Sequence, residues 1–81
     1  MVMYNYFMLI GKMNGTSENH LELKVAREFG VGYDIFKIVV MDYLKEMAKE
    51  IPLGKTIVVK GRLIRADNCR NQLIAERIIF I

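Results

Sequence analysis

Residues 53–63 constrain this chain more than any other segment, because they alternate as a single β-strand does. One face carries residues that suit a core, namely Ile57, Val59, Gly61 and Leu63. The other face carries Val58, Lys60 and Arg62, since successive side chains of a strand point to opposite sides. Gly61 in mid-strand predicts a sharp bend or the close approach of another backbone. A strand that is apolar inside, basic outside and bent at a glycine favours a small closed barrel that binds an anionic chain.

The charge of the chain is concentrated near this strand. The 81 residues are expected to form one domain, residues 1–81, with a formal net charge of +3. Between residues 55 and 70 the only acid is Asp67, whereas the basic residues are Lys55, Lys60, Arg62, Arg65 and Arg70. A local excess of cations indicates an electrostatic footprint for an acidic partner.

The apolar content predicts self-association. The lack of a membrane span, a signal peptide and a disulfide predicts a cytoplasmic location. The hydrophobic fraction of 53% is more than the core of so small a domain buries, and the remaining apolar surface is expected to pair subunits. No apolar run approaches the roughly 18 residues of a spanning helix, so no membrane partner is expected. The first residues lack the basic and small-residue features of a signal peptide. The single cysteine, Cys69, excludes an internal disulfide.

Five strands and one helix follow from the spacing of apolar residues. Strands are predicted at residues 2–10, 20–28, 34–41, 53–63 and 72–81, with loops at 11–19, 29–33 and 66–71. Strand one is apolar on both faces, so one face is expected in the core and the other against a second subunit. Strands two and three direct inward Leu21, Leu23, Val25, Phe36, Ile38 and Val40.

The period changes after strand three to that of a short helix. Its apolar face consists of Leu44, Met47, Ala48 and Ile51. Asp42 is predicted as the N-cap, and Pro52 with Gly54 as the end of the helix. The order of three strands, one short α-helix and two strands predicts an all-β chain folded as a five-stranded OB-fold barrel, with the helix between strands three and four.

Three segments in this order resemble the bacterial-type single-stranded DNA-binding proteins. They are residues 5–13, residues 34–41 leading into 53–55 and 59–63, and residues 75–81. The resemblance implies sequence-independent binding of single-stranded DNA by an OB-fold oligomer, in DNA replication, recombination or repair. It also implies stacking aromatics on the outer face of strand three, where this chain has Ile35 and Met41, and at the end of strand two, where it has Phe29. The acidic tail of the family is absent, which is typical of a short, divergent member such as a phage or mobile element encodes.

The candidate nucleic-acid contacts are basic or aromatic residues on the predicted outer surface and loops. They are Lys12, Lys24, Phe29, Tyr33, Lys37, Lys60, Arg62, Arg65 and Arg70. Lys24, Lys37 and Arg65 are expected to join Lys60 and Arg62 on one convex surface. The alternative for these cations is a solvated strand face, or for Arg70 an ordinary surface arginine. For Phe29 and Tyr33 the alternative is a small apolar cluster that pins the hairpin loop.

No motif indicates catalysis. The sequence lacks an acid pair, a nucleophile with a base and a phosphate loop, and His20 and Cys69 have no partners at metal-ligand spacing. We therefore expect no enzyme activity, no cofactor and no metal. Two functions remain. One is single-stranded DNA binding by a dimer or tetramer formed through strand one; the other is a protein-interaction module of a replication or conjugation complex with weak DNA affinity.

Overall fold

The computed structural model of the protein describes residues 5–65 and 71–81, which form a closed five-stranded barrel. Its strands are β1 Phe7–Thr16, β2 His20–Ala26, β3 Tyr33–Val40, β4 Thr56–Arg65 and β5 Asn71–Phe80. The strand order around the barrel is β1-β2-β3-β5-β4. A 3-10 turn, Asp42–Leu44, and the helix α1, Lys45–Glu50, connect β3 to β4. This architecture confirms the predicted OB-fold barrel and the position of its helix.

Alternating apolar residues of the strands fill the barrel, as the sequence predicted. The largest fully buried side chains are Leu21, Leu23, Ile38, Ile57 and Val59. Leu44, Ala48 and Ile51 of the 3-10 turn, α1 and the residue after it join the same core cluster. The helix therefore contributes its predicted apolar face to the core. Every strand pairs with two neighbours, and the β3–β5 pair, which is parallel while every other pair is antiparallel, completes the closed barrel.

The first strand is longer than its composition suggests. The predicted loop begins at Gly11, yet β1 continues to Thr16. Its first half pairs with β4 and its second half with β2, so one long strand must serve two neighbours to close the barrel. The register shifts between Met13 and Gly15, which is typical of a β-bulge. Pairing on both sides thus overrides the low strand propensity of the polar segment.

The predicted N-cap of the helical segment is wrong by one residue. Met41, with φ −63° and ψ 150°, occupies the cap position and makes no side-chain cap hydrogen bond. Asp42 lies inside the first turn, where its Oδ1 is 3.0 Å from Nζ of Lys45. The carboxylate therefore forms an i,i+3 ion pair. The predicted end is confirmed, because Ile51, which precedes Pro52, has left the helical region with ψ 122°.

Gly61 marks a close backbone approach, as predicted. A Cβ atom at this position would lie 1.7 Å from the carbonyl oxygen of Ile74. The β4–β5 register shifts here, since Lys60 faces Arg77 whereas Gly61 faces Ala75. Glu76 is therefore the extra residue of a bulge in β5. The hydroxyl of Tyr43 donates a hydrogen bond to the carbonyl oxygen of Glu76 and so ties the bulge to the 3-10 turn.

Candidate nucleic-acid interface

Two lysines lie directly opposite each other on the outside of the barrel. Lys12 of β1 pairs with Lys24 of β2, and opposite residues of antiparallel strands share one face of the sheet. The row continues to Thr56 of β4 on one side and Ile35 of β3 on the other. We call the outer surface of β1, β2 and β3 that carries Lys12, Lys24 and Lys37 the basic face.

The charges of the basic face are poorly compensated. Like charges directly opposite on neighbouring strands destabilise a sheet, and no described carboxylate oxygen lies within 4.0 Å of Lys12 or Lys24. Lys37 pairs across the strands with Glu22. The Oε1 atom of that glutamate also accepts a hydrogen bond of 3.0 Å from Nδ2 of Asn14. A bound anion would therefore relieve repulsion between Lys12 and Lys24.

Tyr33 brings an aromatic ring to the same surface. It begins β3, is half exposed, and pairs across the strands with Ala26. The Nζ atom of Lys24 lies 3.8 Å from the centroid of its ring, within cation–π range. Around this contact is an open groove of about 500 Å³, whose walls include Ile10, Lys12, Lys24, Ala26, Tyr33 and Thr56.

The loop between β2 and β3 has exposed apolar residues at its tip, and an ion pair joins its two ends. Nε and Nη2 of Arg27 donate hydrogen bonds of 3.2 and 2.9 Å to Oδ1 of Asp34, and this interaction raises the pKa of Arg27 above its ordinary value. At the tip, Phe29 is 85% exposed and Val31 95% exposed. This exposure excludes the small apolar cluster that was the alternative for Phe29.

The remaining described cations lie elsewhere on the barrel. Lys60 and Arg62 belong to β4, which pairs with β1 and β5 rather than with β2 or β3. Met8, the β1 partner of Lys60, is four residues from Lys12, or about 13 Å along the strand. The sequence analysis expected these cations on one convex surface, and in the structure they form two groups on the outside of the barrel, the basic face and a second group on β4 and β5.

Arg65 does not join either group. Residues of β4 pair without a gap from Gly61 to Arg65, so alternation places Arg65 on the side of Gly61 and Leu63, opposite to Arg62. Arg65 is exposed at the end of β4. Arg70 lies outside the described residues.

Two functional candidates on β5 were missed by the sequence analysis. Arg77 lies directly opposite Lys60, which makes a second pair of like charges on the outer surface. Glu76 has its Oε2 atom 3.1 Å from Nε of Arg62. Simple alternation from Ala75 would direct Arg77 into the core, and only the bulge at Glu76 reverses this. No local signal in the sequence therefore identifies Arg77.

An exposed apolar surface lies between the two groups of cations. On β1, Phe7 and Leu9 pack against the core, while the outward side chains remain open. We call the exposed residues Tyr6, Met8 and Ile10 the apolar β1 surface. It agrees with the prediction that strand one is apolar on both faces. A groove of about 540 Å³ adjoins it and reaches Lys60 and Arg77.

Within residues 5–65 and 71–81, no three His, Cys, Asp or Glu side chains are grouped as metal ligands would be. None of the helices in that part of the chain has the length and apolar character needed to cross a membrane.

The chain is similar in structure to several solved proteins. No family model and no curated protein sequence matches it. The dimeric N-terminal domain of PriB protein from Thermoanaerobacter tencongensis is 19% identical, with a TM-score of 0.75 over 95% of this chain and 96% of that one. The small single-stranded DNA-binding protein from Streptomyces coelicolor is 17% identical, with a TM-score of 0.66 over 99% and 96% of the two chains.

A third similar structure is Rim1, a mitochondrial single-stranded DNA-binding protein from S. cerevisiae. It is 16% identical, with a TM-score of 0.70 over 99% of this chain and 97% of that one. Likeness at such low identity establishes the fold and leaves the function to be argued from the residues. The chain is therefore an OB-fold barrel, built from five strands and closed between β3 and β5.

Proposed function

We propose that this protein binds single-stranded DNA without regard to sequence, through its basic face. The observation that carries the proposal is the direct pairing of Lys12 with Lys24. Two like charges held opposite each other cost free energy in the free protein. A DNA phosphate placed between them would convert this repulsion into two charge-assisted hydrogen bonds. Lys37 extends the same face by one further cation.

Exposed aromatic rings support a single-stranded rather than a duplex ligand. Tyr33 lies beside the lysine pair, and Phe29 projects from the tip of the adjacent loop. A base can stack on such rings only when its faces are free, as they are in a single strand. Two of the similar solved structures are named as single-stranded DNA-binding proteins, which agrees with the proposal.

Further cations are proposed to continue the path of the strand. Lys60 and Arg62 of β4, with Arg77 of β5, form a second group about 13 Å from the basic face along β1. Arg65, at the end of β4, and Arg70, which precedes β5 in the sequence, are proposed as further contacts. Because Arg62 is paired with Glu76, its expected contribution is smaller than that of Lys12 or Lys24.

We further propose that the protein is a dimer or tetramer assembled through the apolar β1 surface. Tyr6, Met8 and Ile10 are exposed by 76%, 59% and 52%, and a contiguous apolar patch of this kind is typical of an interface. The similar PriB domain is described as dimeric. In this proposal residues 1–81 form one OB-fold domain that acts in the cytoplasm, in replication, recombination or repair, without catalysing a reaction.

The same apolar surface is the observation that favours the second candidate function. If the apolar β1 surface docks another replication or conjugation protein, the chain is an interaction module and DNA affinity is secondary. The two functions differ in what the basic face does, so DNA binding itself separates them.

The experiment is a titration of fluorescently labelled oligothymidylate with the protein at several salt concentrations. If Lys12, Lys24 and Lys37 each contact phosphate, log affinity falls with log salt at a slope of about 2, because each contact to a single strand contributes about 0.7. Lys24→Gln should lower that slope by one contact. Lys49→Gln is the matched control, since Lys49 lies on the helix beside Glu46. A slope near zero, or equal affinity for duplex DNA, would contradict the proposal.

A further inference from the structure

We propose that Lys24 covers the stacking face of Tyr33 in the free protein and that a nucleotide phosphate draws it away. Stacking on Tyr33 would then require a phosphate and an unpaired base on the same ligand. The inference rests on the proposed function and deepens it, because it assigns a nucleotide subsite in which Lys24 controls access to the ring.

The covering contact is direct. The Nζ atom of Lys24 lies 3.8 Å from the ring centroid of Tyr33, which leaves no room for a base on that face. The contact is open to solvent at the ring, since Tyr33 is half exposed. Cation–π attraction at exposed sites is weak, so a stronger partner for the ammonium group can break it.

The stronger partner is a phosphate held jointly with Lys12. Lys12 and Lys24 are direct cross-strand partners, and Thr56 adjoins Lys12 in the same row. Two ammonium groups and a hydroxyl can thus converge on one anion. Lysine carries its charge on a flexible four-carbon stem, so Nζ of Lys24 can move from the ring toward Lys12 without a change in the backbone.

Once Lys24 moves, the ring has space beside it for a base. The groove at Tyr33 has a volume of about 500 Å³, within the range of roughly 300–1,000 Å³ typical of small-molecule sites. Gly32 and Ala26 contribute little side-chain bulk next to the ring, and Ile10 supplies an apolar wall. The subsite therefore has a basic end for phosphate and an apolar end for a base.

The expected ligand class is a nucleotide, and its two parts should bind cooperatively. The phosphate lowers the cost of uncovering the ring, and the stacked base keeps Lys24 from returning to it. Such coupling is reciprocal. A nucleoside lacks the phosphate and has to displace Lys24 unaided, so it should bind much more weakly than the corresponding monophosphate.

The test uses Tyr33→Trp as a reporter, because the protein has no tryptophan and indole retains the cation–π contact. Quenching of its fluorescence is measured with thymidine, thymidine monophosphate and inorganic phosphate. We expect the monophosphate to bind at least about tenfold more tightly than thymidine, which corresponds to 1.4 kcal/mol. Adding Lys24→Ala should bring this ratio close to one by improving thymidine binding.

The matched control adds Lys49→Ala to the reporter, since Lys49 carries the same charge on the helix beside Glu46, outside the basic face. It should keep the preference for the monophosphate. A Lys24→Ala variant that weakens monophosphate binding without improving thymidine binding would overturn the inference. Circular dichroism checks that each variant is folded.

Titration of the wild-type protein with labelled oligothymidylate separates the inference from the proposed function. If the oligonucleotide binds but Lys24→Ala does not change the ratio of the affinities for thymidine monophosphate and thymidine as expected, only the proposed role of Lys24 is overturned. Absence of oligonucleotide binding would overturn the proposed function and, with it, the nucleotide subsite.

Discussion

Arg62 of β4 and Glu76 of β5 form an ion pair on the outside of the barrel, with 3.1 Å between Nε and Oε2. Glu76 is the bulge residue that the β4–β5 register skips, and it follows Ala75, the partner of Gly61. Both side chains are partly exposed, at 55% and 37%, so the pair contributes little to stability. Its consequence is electrostatic, since it neutralises one cation of the second basic group.

Neutralising Glu76 should strengthen binding to single-stranded DNA. Glu76→Gln leaves Arg62 free to contact phosphate, so we expect a higher affinity at low salt and a salt slope steeper by about 0.7. The measurement is the oligothymidylate titration at several salt concentrations. Glu46→Gln is the control, because it removes the same charge beside Lys49 on the helix. An equal gain in both variants would point to net charge rather than to Arg62.

Replacing Phe29 should weaken DNA binding without weakening the fold. The side chain is 85% exposed, so Phe29→Ala should change the free energy of unfolding by less than about 0.5 kcal/mol. If the ring stacks on a base, the variant loses about 1–3 kcal/mol of binding free energy at an unchanged salt slope. Val31→Ala tests the neighbouring exposed residue and should have little effect. If the affinity of Phe29→Ala for DNA is unchanged, the Phe29 ring does not take part in the interface.

Gly61→Ala should destabilise the barrel strongly. A Cβ atom would meet the carbonyl oxygen of Ile74 at 1.7 Å, so β4 and β5 would have to separate at the bulge. We expect a loss of more than about 3 kcal/mol in the free energy of unfolding, measured by urea denaturation. Gly30→Ala is the comparison: Gly30 has φ 95° but open space around it, so only about 1–2 kcal/mol of backbone strain is expected. Similar losses in both variants would contradict the clash.

A charge on the apolar β1 surface should dissociate the proposed oligomer. Met8 is 59% exposed in the single chain. Burying a carboxylate in an apolar interface is costly even opposite Lys60, its cross-strand partner, because both charges lose their hydration. Met8→Glu should therefore shift the mass measured by light scattering toward the 9.4 kDa of the monomer. Leu53→Glu, at an exposed residue before β4, should leave the mass unchanged. A wild-type protein of 9.4 kDa at micromolar concentration would contradict assembly through this surface.

Local patterns in the sequence determined the order of the elements and most of the core. Alternation along β2 and β3 identified the buried side chains Leu21, Leu23 and Ile38, because the direction of a side chain follows from its position in the strand. The helical spacing identified Ala48 and Ile51 in the same way. These features depend on near neighbours in the chain, so the sequence was sufficient to predict them.

The tertiary structure decided which charged residues meet. The partnership of Lys12 with Lys24 depends on the register of two strands, and register is set by the whole barrel. The bulge at Glu76 reverses the faces of the β5 residues that follow it, which moves Arg77 outward opposite Lys60. The pairing of β4 with β5 also brings Glu76 to Arg62. One skipped residue changes the face of every side chain that follows it in the strand. The close approach of Gly61 to the backbone of Ile74 lies at the same bulge, and it forms only when β4 and β5 pair.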